Sequence, residues 1–175
     1  MPTRTKTARS VDGSTTKSRR ASRVEARPHL TLQVQHDAEA GELPVTRAQL
    51  RRWVQSALQR DARLVLRFVG QAESRMLNHR YRGKDKPTNV LTFDYGNAPV
   101  VEADVVICLP VLRQEALEQH KSLRNHLAHL VIHGVLHAHG MDHLDDEQAA
   151  EMEALEIALL RRFRIDDPYT LPTDI

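Results

Sequence analysis

The chain has 175 residues, of which 41% are hydrophobic and 4% aromatic, enough for one domain whose core is filled mainly by aliphatic side chains. It lacks the run of about 18 apolar residues that a membrane-spanning helix needs, and it lacks an apolar segment near the N-terminus of the kind found in secretory signals. A single cysteine, Cys108, excludes an internal disulfide and favours a reducing compartment, so we expect a cytoplasmic protein with no membrane partner.

Basic residues are concentrated at the start of the chain. Residues 1–28 carry eight basic and two acidic side chains, so the remainder of a chain with a total charge of +2 carries −4. The segment is rich in Ser, Thr and Arg and nearly lacks large apolar residues, which predicts a disordered extension. Two interpretations stay open: a tether for anionic nucleic acid and a dispensable solvated tail. Organelle transit peptides also share this composition.

Residues 29–175 are predicted to form a single folded domain. Alternating or apolar runs predict strands over residues 30–35, 63–69, 89–95 and 104–109, and helical periodicity predicts helices over residues 46–59, 71–81, 111–119, 122–139 and 147–163. Thr46 and Ser122 are suited to cap the first and fourth helices, and Gly140 is placed to end the fourth. This order predicts an α+β fold with one mixed β-sheet of about four strands covered by about five helices.

Three histidines are spaced to bind a metal ion. Residues 133–143 read His-Gly-Val-Leu-His-Ala-His-Gly-Met-Asp-His. His133 and His137 are four residues apart on a predicted helix, hence only about 40° apart around its axis, and Gly140 lets the chain turn back so that His143 reaches the same ion. Three neutral imidazoles can hold zinc and leave one position for water, the arrangement of a catalytic site. We therefore predict one zinc ion per chain, bound by His133, His137 and His143.

Other polar residues near this motif are given lesser roles. His129 lies on the same helix stripe and could be a ligand or a partner that supports the ligands. The second interpretation is favoured, because His143 already supplies the third ligand. His139 lies off the stripe and is predicted to be exposed. Asp142 is placed to orient a ring N–H, whereas Asp145 and Asp146 fit better as N-terminal charges of the last helix.

The histidine spacing also occurs in the metzincin proteases, whose motif is His-Glu-x-x-His-x-x-Gly-x-x-His. This chain matches every position but one, because Gly134 stands where those enzymes carry the glutamate that acts as general base. The difference argues against peptide hydrolysis. We interpret Gly134 as a packing residue that allows a strand to pass close to the helix.

A basic segment precedes the third predicted strand. Arg82, Lys84 and Lys86 lie within five residues, in a predicted loop fixed by Gly83 and Pro87. Such cations suit phosphate oxygens, although a solvated loop of ordinary charges is the alternative. Beside a three-histidine site they favour phosphodiester cleavage, because a metal ion and an arginine can together stabilise its transition state.

Two long motifs, residues 78–93 and the histidine motif, carry a family resemblance together with two shorter stretches. Residues 78–93 read Asn-His-Arg-Tyr-Arg-Gly-Lys-Asp-Lys-Pro-Thr-Asn-Val-Leu-Thr-Phe, residues 103–107 read Ala-Asp-Val-Val-Ile, and Asp-Pro-Tyr stands at residues 167–169. With the histidine motif, these residues resemble the YbeY family of bacterial endoribonucleases and rRNA maturation factors over about residues 50–169. Met141 and Ala103 depart from the family pattern, which more often has an aromatic residue and a glycine there. Neither change removes a proposed ligand, but Ala103 weakens the expectation of a turn before the fourth strand.

The resemblance implies that the three histidines bind zinc and that Arg82 is the catalytic arginine. It further implies a zinc-dependent, single-strand-specific endoribonuclease that acts on rRNA precursors, in maturation of the 3′ end of small-subunit rRNA and in ribosome quality control. The expected partners are single-stranded RNA, the small ribosomal subunit and its associated proteins. Two alternatives remain: a metallohydrolase of another substrate class, and a non-catalytic ribosome-assembly factor with a structural zinc.

Overall fold

The computed structural model describes residues 26–170, in which strands and helices largely alternate. The elements are β1 (Leu30–His36), α1 (Arg47–Ala57), β2 (Ala62–Val69), α2 (Gln71–Arg82), β3 (Val90–Gly96), β4 (Val101–Cys108), α3 (Leu109–Glu118), α4 (Leu123–Ala138) and α5 (Asp146–Arg161). The disorder predicted for residues 1–28 falls mainly on residues 1–25, which lie outside the described residues. None of the helices between residues 26 and 170 is both long and apolar enough to span a bilayer.

The four strands form one mixed sheet in the order β1-β2-β4-β3. Strands β1, β2 and β4 are parallel, and β3 runs antiparallel to β4 at one edge. The parallel pairs require crossover connections, which α1 and the segment containing α2 and β3 supply. The predicted α+β fold, with one mixed sheet of four strands and five helices, is confirmed.

The core lies mainly between one face of the sheet and helices α1, α4 and α5. Leu64, Leu66 and Phe68 alternate along β2 and are at most 2% exposed, as the sequence pattern predicts. A smaller apolar cluster on the other face contains Cys108 and contacts residues of α2 and α3. Cys108 is therefore a buried apolar residue, and burial raises the pKa of its thiol.

Helix ends follow the predicted capping residues. The side chains of Thr46 and Ser122 accept backbone N–H groups of Gln49 and Asn125 at 3.2 and 3.1 Å. Asp145 caps α5 in the same way, as expected for an N-terminal charge. Strand β4 begins at Val101, three residues earlier than predicted, so Ala103 lies inside the strand and not in a turn.

Gly134 marks a close approach between α4 and the sheet. A Cβ atom at this position would lie 2.5 Å from Cγ1 of Val105 and 3.4 Å from Oγ1 of Thr92. The first distance is shorter than real carbon contacts, so only glycine allows the helix to pack this tightly. The predicted packing role of Gly134 is confirmed, and the packing places the neighbouring histidines of α4 beside β3.

Candidate metal centre and substrate cavity

Helix α4 and the turn after it bring the three predicted ligands together. His133 and His137 project from successive turns of the helix, and Gly140 adopts a positive φ of 87° that reverses the chain towards His143. The ring centroids of His137 lie 4.5 Å from His133 and 5.0 Å from His143, and those of His133 and His143 are 5.9 Å apart. The Nε2 atoms of His133 and His137 are separated by only 3.1 Å.

The surroundings of His137 favour its neutral form. Burial, together with repulsion from His133 and His143, lowers its pKa to about 4. At neutral pH its imidazole is therefore uncharged and has a lone pair available to a metal ion. His143 is the most exposed of the three, with 57% of its side chain accessible, and its backbone N–H donates to the carboxylate of Asp142 at 2.8 Å.

A buried carboxylate from α5 supports the histidines, and the sequence analysis did not identify it. Glu156 is fully buried and accepts the Nδ1–H of His133 at 2.6 Å and the Nε2–H of His129 at 2.9 Å. The hydroxyl of Tyr169 also donates to it. One feature of the sequence could have indicated Glu156: it lies on the inward stripe of α5, four residues after Met152, where an apolar residue is expected.

Glu156 fixes which nitrogen of each ring carries a proton. Burial alone would raise its pKa, but hydrogen bonds from His129, His133 and Tyr169 lower the pKa to about 2. The carboxylate is therefore ionised and can only accept hydrogen bonds. Nδ1 of His133 must then be the protonated nitrogen, which leaves its Nε2 lone pair directed at His137.

Potential metal-binding atoms fall into two adjoining groups in the described part of the chain. The donor atoms of His129, His133 and Glu156 lie within 4.8 Å of one another, as do those of His137, Asp142 and His143. The predicted triad takes one residue from the first group and two from the second, and the short Nε2 contact between His133 and His137 joins them.

His126 of α4 and His139, which follows α4, have structural partners. His126 is buried and its Nε2 lies 2.8 Å from Glu115. The prediction that His139 is exposed is wrong, because its side chain is only 5% exposed. Its Nδ1–H donates to the carbonyl of Val135, and its Nε2 accepts the backbone N–H of Gln59. The helix wheel missed this role because His139 follows the helix and packs against the end of α1.

Arg82 borders the same cavity as the histidines. The cavity measures about 380 Å³ and is lined by Arg82, Asn89, Val90, Thr92, Asp94, His133, His137, Asp142 and His143. Arg82 was predicted to lie in a loop, but it is the last residue of α2. Gly83 ends the helix in a left-handed conformation. Within residues 26–170, Arg82 has no ion-pair partner, whereas Arg75 on the same helix forms a two-pronged ion pair with Asp85.

The basic segment after α2 is held by buried polar side chains. The hydroxyl of Ser74 donates to the carbonyl of Thr88 at 2.8 Å, and the amide of Asn78 donates to the carbonyl of Lys86 at 2.8 Å. Both side chains are at most 2% exposed. Lys84 and Lys86 themselves are exposed and lie outside the cavity lining, so of the three predicted cations only Arg82 borders the cavity that the histidines line.

Comparison with known proteins identifies the family. A family model described as Endoribonuclease YbeY matches residues 34–164 of the chain. The chain belongs to the YbeY family.

Two similar YbeY proteins match over most of their length. The protein named Endoribonuclease YbeY from Thiobacillus denitrificans is 51% identical over 144 residues, covering 81% of this chain and 97% of that protein. The protein of the same name from Janthinobacterium sp. is 50% identical over 143 residues, covering 80% and 94%. A solution structure of TM1509 from Thermotoga maritima aligns with a TM-score of 0.49 and 21% identity over 83% of this chain and all of that one.

The two motifs that carried the family resemblance meet in space in this YbeY chain. Arg82 and Asn89 come from the first motif, the histidines from the second, and all border one cavity. Tyr169 of the Asp-Pro-Tyr sequence contacts Glu156 and, at 3.2 Å, Nε2 of His129. The Asp-Pro-Tyr sequence therefore contacts the residues that support the proposed ligands.

Proposed function

We propose that this chain is a zinc-dependent endoribonuclease that cleaves single-stranded RNA in the cytoplasm. Its substrates are rRNA precursors on or near the small ribosomal subunit, and its roles are maturation of the small-subunit rRNA 3′ end and ribosome quality control. Membership of the Endoribonuclease YbeY family supports the reaction class. The observation that carries the proposal is a cavity lined by three converging imidazoles and by an arginine that has no ion-pair partner in residues 26–170.

The donor set fits zinc. Two nitrogen ligands at about 2.0–2.1 Å from a tetrahedral ion are roughly 3.3 Å apart, close to the 3.1 Å between Nε2 of His133 and Nε2 of His137. Zinc favours neutral imidazole, which is the form that burial imposes on His137. His143 completes the site from the turn after α4.

The triad of His133, His137 and His143 is better suited to bind the metal than the alternative group, which consists of His129, His133 and Glu156. Both carboxylate oxygens of Glu156 already accept hydrogen bonds from imidazole N–H groups. The nitrogens of His129 and His133 that face Glu156 carry protons and cannot bind a cation at the same time. Glu156 and His129 therefore support the site, which agrees with the role predicted for His129.

The chain's own residues supply substrate binding and charge stabilisation. When bound, zinc lowers the pKa of a coordinated water to about 7, which provides a nucleophile without a neighbouring carboxylate base. This matches Gly134, which stands where a metzincin has its glutamate. Arg82 is placed to hold the non-bridging oxygens of the scissile phosphate and to stabilise the charge that builds on them.

A structural zinc is the second candidate, and Asp142 is the observation that favours it. The Asp142 carboxylate is grouped with the donor atoms of His137 and His143, and a fourth protein ligand would close the site to water. We propose that Asp142 stays outside the coordination sphere, where its Oδ1 accepts the backbone N–H of His143. Cleavage by purified protein distinguishes the two candidates, since a closed site supports none.

Arg82 tests the catalytic proposal, because its contribution to chemistry can be separated from binding. Single-turnover cleavage of a single-stranded RNA at saturating enzyme is compared for wild type, Arg82→Ala and Arg82→Lys. Loss of a contact that strengthens in the transition state should lower the saturated rate by roughly 10²–10³, with only partial recovery in Arg82→Lys because an ammonium lacks the two-pronged geometry. Zinc content and melting temperature should stay near wild type.

The matched control is Arg75→Ala, which removes an arginine of the same helix whose charge is already paired with Asp85. This variant should cleave at the wild-type rate. A wild-type saturated rate in Arg82→Ala would show that Arg82 only binds RNA. Loss of zinc or of folding in that variant would show that the end of α2 is structural.

A further inference from the structure

Two exposed tyrosines and a phenylalanine lie near one edge of the sheet. In a chain with only 4% aromatic residues, Tyr81 is 58% and Tyr95 66% exposed. The ring of Phe93 lies 4.9 Å from that of Tyr81 with an angle of 70° between the planes. The Tyr95 hydroxyl donates to Asp104 at 3.0 Å, which holds this ring beside the strands. We call Tyr81, Phe93 and Tyr95 the aromatic platform.

The aromatic platform and the histidine cavity lie on opposite sides of β3. Successive side chains of a strand point to opposite faces. Thr92 and Asp94 line the cavity, so Phe93 points to the other face. The pairing with β4 is irregular at Tyr95, but the hydrogen bond of its hydroxyl to Asp104, the residue that pairs with Phe93, places Tyr95 on the same face as Phe93. Tyr81 precedes Arg82, which lines the cavity. Strand β3 is the last strand of the sheet, so an extended chain can cross its free edge from the cavity to the platform.

The charges around the aromatic platform select the kind of molecule that binds there. The guanidinium of Arg80 lies 5.6 Å from the centroid of the Tyr81 ring, and Arg82 and Lys84 follow directly and are exposed. Of the nearby acids, Asp85 is paired with Arg75, and Asp104 accepts the hydroxyl of Tyr95. Exposed aromatic rings beside a row of cations fit single-stranded nucleic acid, whose bases stack on the rings while its phosphates contact the cations.

We propose that the aromatic platform stacks bases of the RNA that flank the phosphate held in the cavity, with Tyr81 as the main stacking residue. The proposal rests on the endoribonuclease function and adds a base-binding surface to it. Base stacking tolerates every base but requires that the bases be unpaired. The platform therefore explains a preference for single strands without a preference for sequence.

The test separates affinity from chemistry. Single-turnover cleavage of a single-stranded RNA is measured over a range of enzyme concentrations for wild type, Tyr81→Phe, Tyr81→Ala and Met76→Ala. Met76 is the control because it is 56% exposed on the same helix but outside the platform. Tyr81→Ala should raise the half-saturating concentration roughly 5- to 150-fold and leave the saturated rate within about twofold of wild type. Tyr81→Phe keeps the ring and should retain most of the affinity that Tyr81→Ala loses, whereas Met76→Ala should behave as wild type.

A second arm locates the stacked base. RNAs with one abasic nucleotide at successive positions should reveal a position where loss of the base weakens binding to wild type, and that penalty should vanish in Tyr81→Ala. Equal half-saturating concentrations for Tyr81→Ala and wild type would overturn the platform and indicate another occupant, such as a protein partner, while cleavage by wild type would leave the function intact. Equal losses in Tyr81→Phe and Tyr81→Ala would also overturn stacking. Wild-type protein that neither binds nor cleaves RNA would instead contradict the proposed function itself.

Discussion

Glu156 connects three parts of the site through one side chain. Its carboxylate holds the protonated nitrogens of His129 and His133, so it determines the orientation and tautomer of a proposed ligand from outside the proposed ligand set. Glu156→Gln keeps the size of the side chain but removes the charge and one acceptor. A carboxylate that accepts the other ring N–H of a metal-binding histidine contributes to metal affinity. We therefore expect the zinc affinity of Glu156→Gln to fall roughly 10- to 100-fold, measured by competition with a chromophoric chelator.

Tyr169→Phe is the control for Glu156→Gln, because it removes a donor to Glu156 and leaves both histidine contacts. Its effect on zinc affinity should be smaller. Nitrogen-15 NMR of the imidazoles should show Nδ1 of His133 protonated in wild type and a mixture of tautomers in Glu156→Gln. Unchanged zinc affinity in Glu156→Gln would contradict the supporting role, and zinc loss that excess metal does not restore would make Glu156 a ligand.

The sequence identified the histidines through local spacing, which one helix and one turn convert directly into proximity. Glu156 was missed because its partners lie 23 and 27 residues away. The role of a carboxylate within an apolar stripe cannot be predicted until the residues that contact it are known. His139 was misplaced for the same reason. Its burial comes from packing against the end of α1, which a wheel of α4 cannot show.

At the level of elements, the contact between α4 and the sheet depends on Gly134. Alanine normally stabilises a helix interior by about 0.5–1 kcal/mol relative to glycine. Here its Cβ would overlap Val105, so Gly134→Ala should destabilise the fold by roughly 1–3 kcal/mol, measured by denaturant unfolding. Gly134→Glu should destabilise it more and produce no peptidase activity.

A double variant isolates the overlap at Gly134. Val105→Ala removes the methyl group that lies 2.5 Å from the added Cβ, so Gly134→Ala combined with Val105→Ala should be less destabilised than the two single changes added together. Additive effects would show that the glycine serves another purpose. A stable Gly134→Glu protein with peptidase activity would refute the packing interpretation.

Most elements were predictable because each has its own period and ends. The four strands and five helices all occur, with ends shifted by a few residues. The sheet order was not predictable, since placing β4 between β2 and β3 depends on pairing across the chain. The end of α2 was predicted only approximately. The segment after it is fixed by Ser74 and Asn78, whose side chains act on a loop 8 to 14 residues away.

At the level of the whole molecule, charge is divided between the N-terminal segment and the rest of the chain. Residues 1–28 carry a net charge of +6 and the remainder −4. Residues 2–25 hold seven of the eight basic side chains, while Pro28 accepts a hydrogen bond from Gln55 at 2.8 Å. Deleting residues 2–25 therefore removes most of this positive charge and keeps that contact.

This deletion should weaken RNA binding and flatten its dependence on salt, because fewer counterions are released. Zinc content and the saturated cleavage rate should not change. A full-length variant with the seven basic residues replaced by glutamine should behave like the deletion. Equal salt dependence in all three proteins would exclude a binding role for the segment, and loss of zinc on deletion would show that it belongs to the fold.

We propose that His133, His137 and His143 hold a zinc ion that RNA cleavage requires. Metal content by elemental analysis and cleavage of a single-stranded RNA are measured in the same preparations. The proteins compared are wild type, the alanine variants of the three proposed ligands, His129→Ala and His79→Ala. His79 is the control because it is an exposed histidine of α2. We expect about one zinc per chain and cleavage in wild type and His79→Ala, reduced zinc affinity in His129→Ala, and loss of both zinc and cleavage in His133→Ala, His137→Ala and His143→Ala. Full zinc occupancy in His143→Ala with loss of zinc in His129→Ala would contradict the proposed triad, and cleavage by zinc-free His137→Ala would contradict a role for the metal in the reaction.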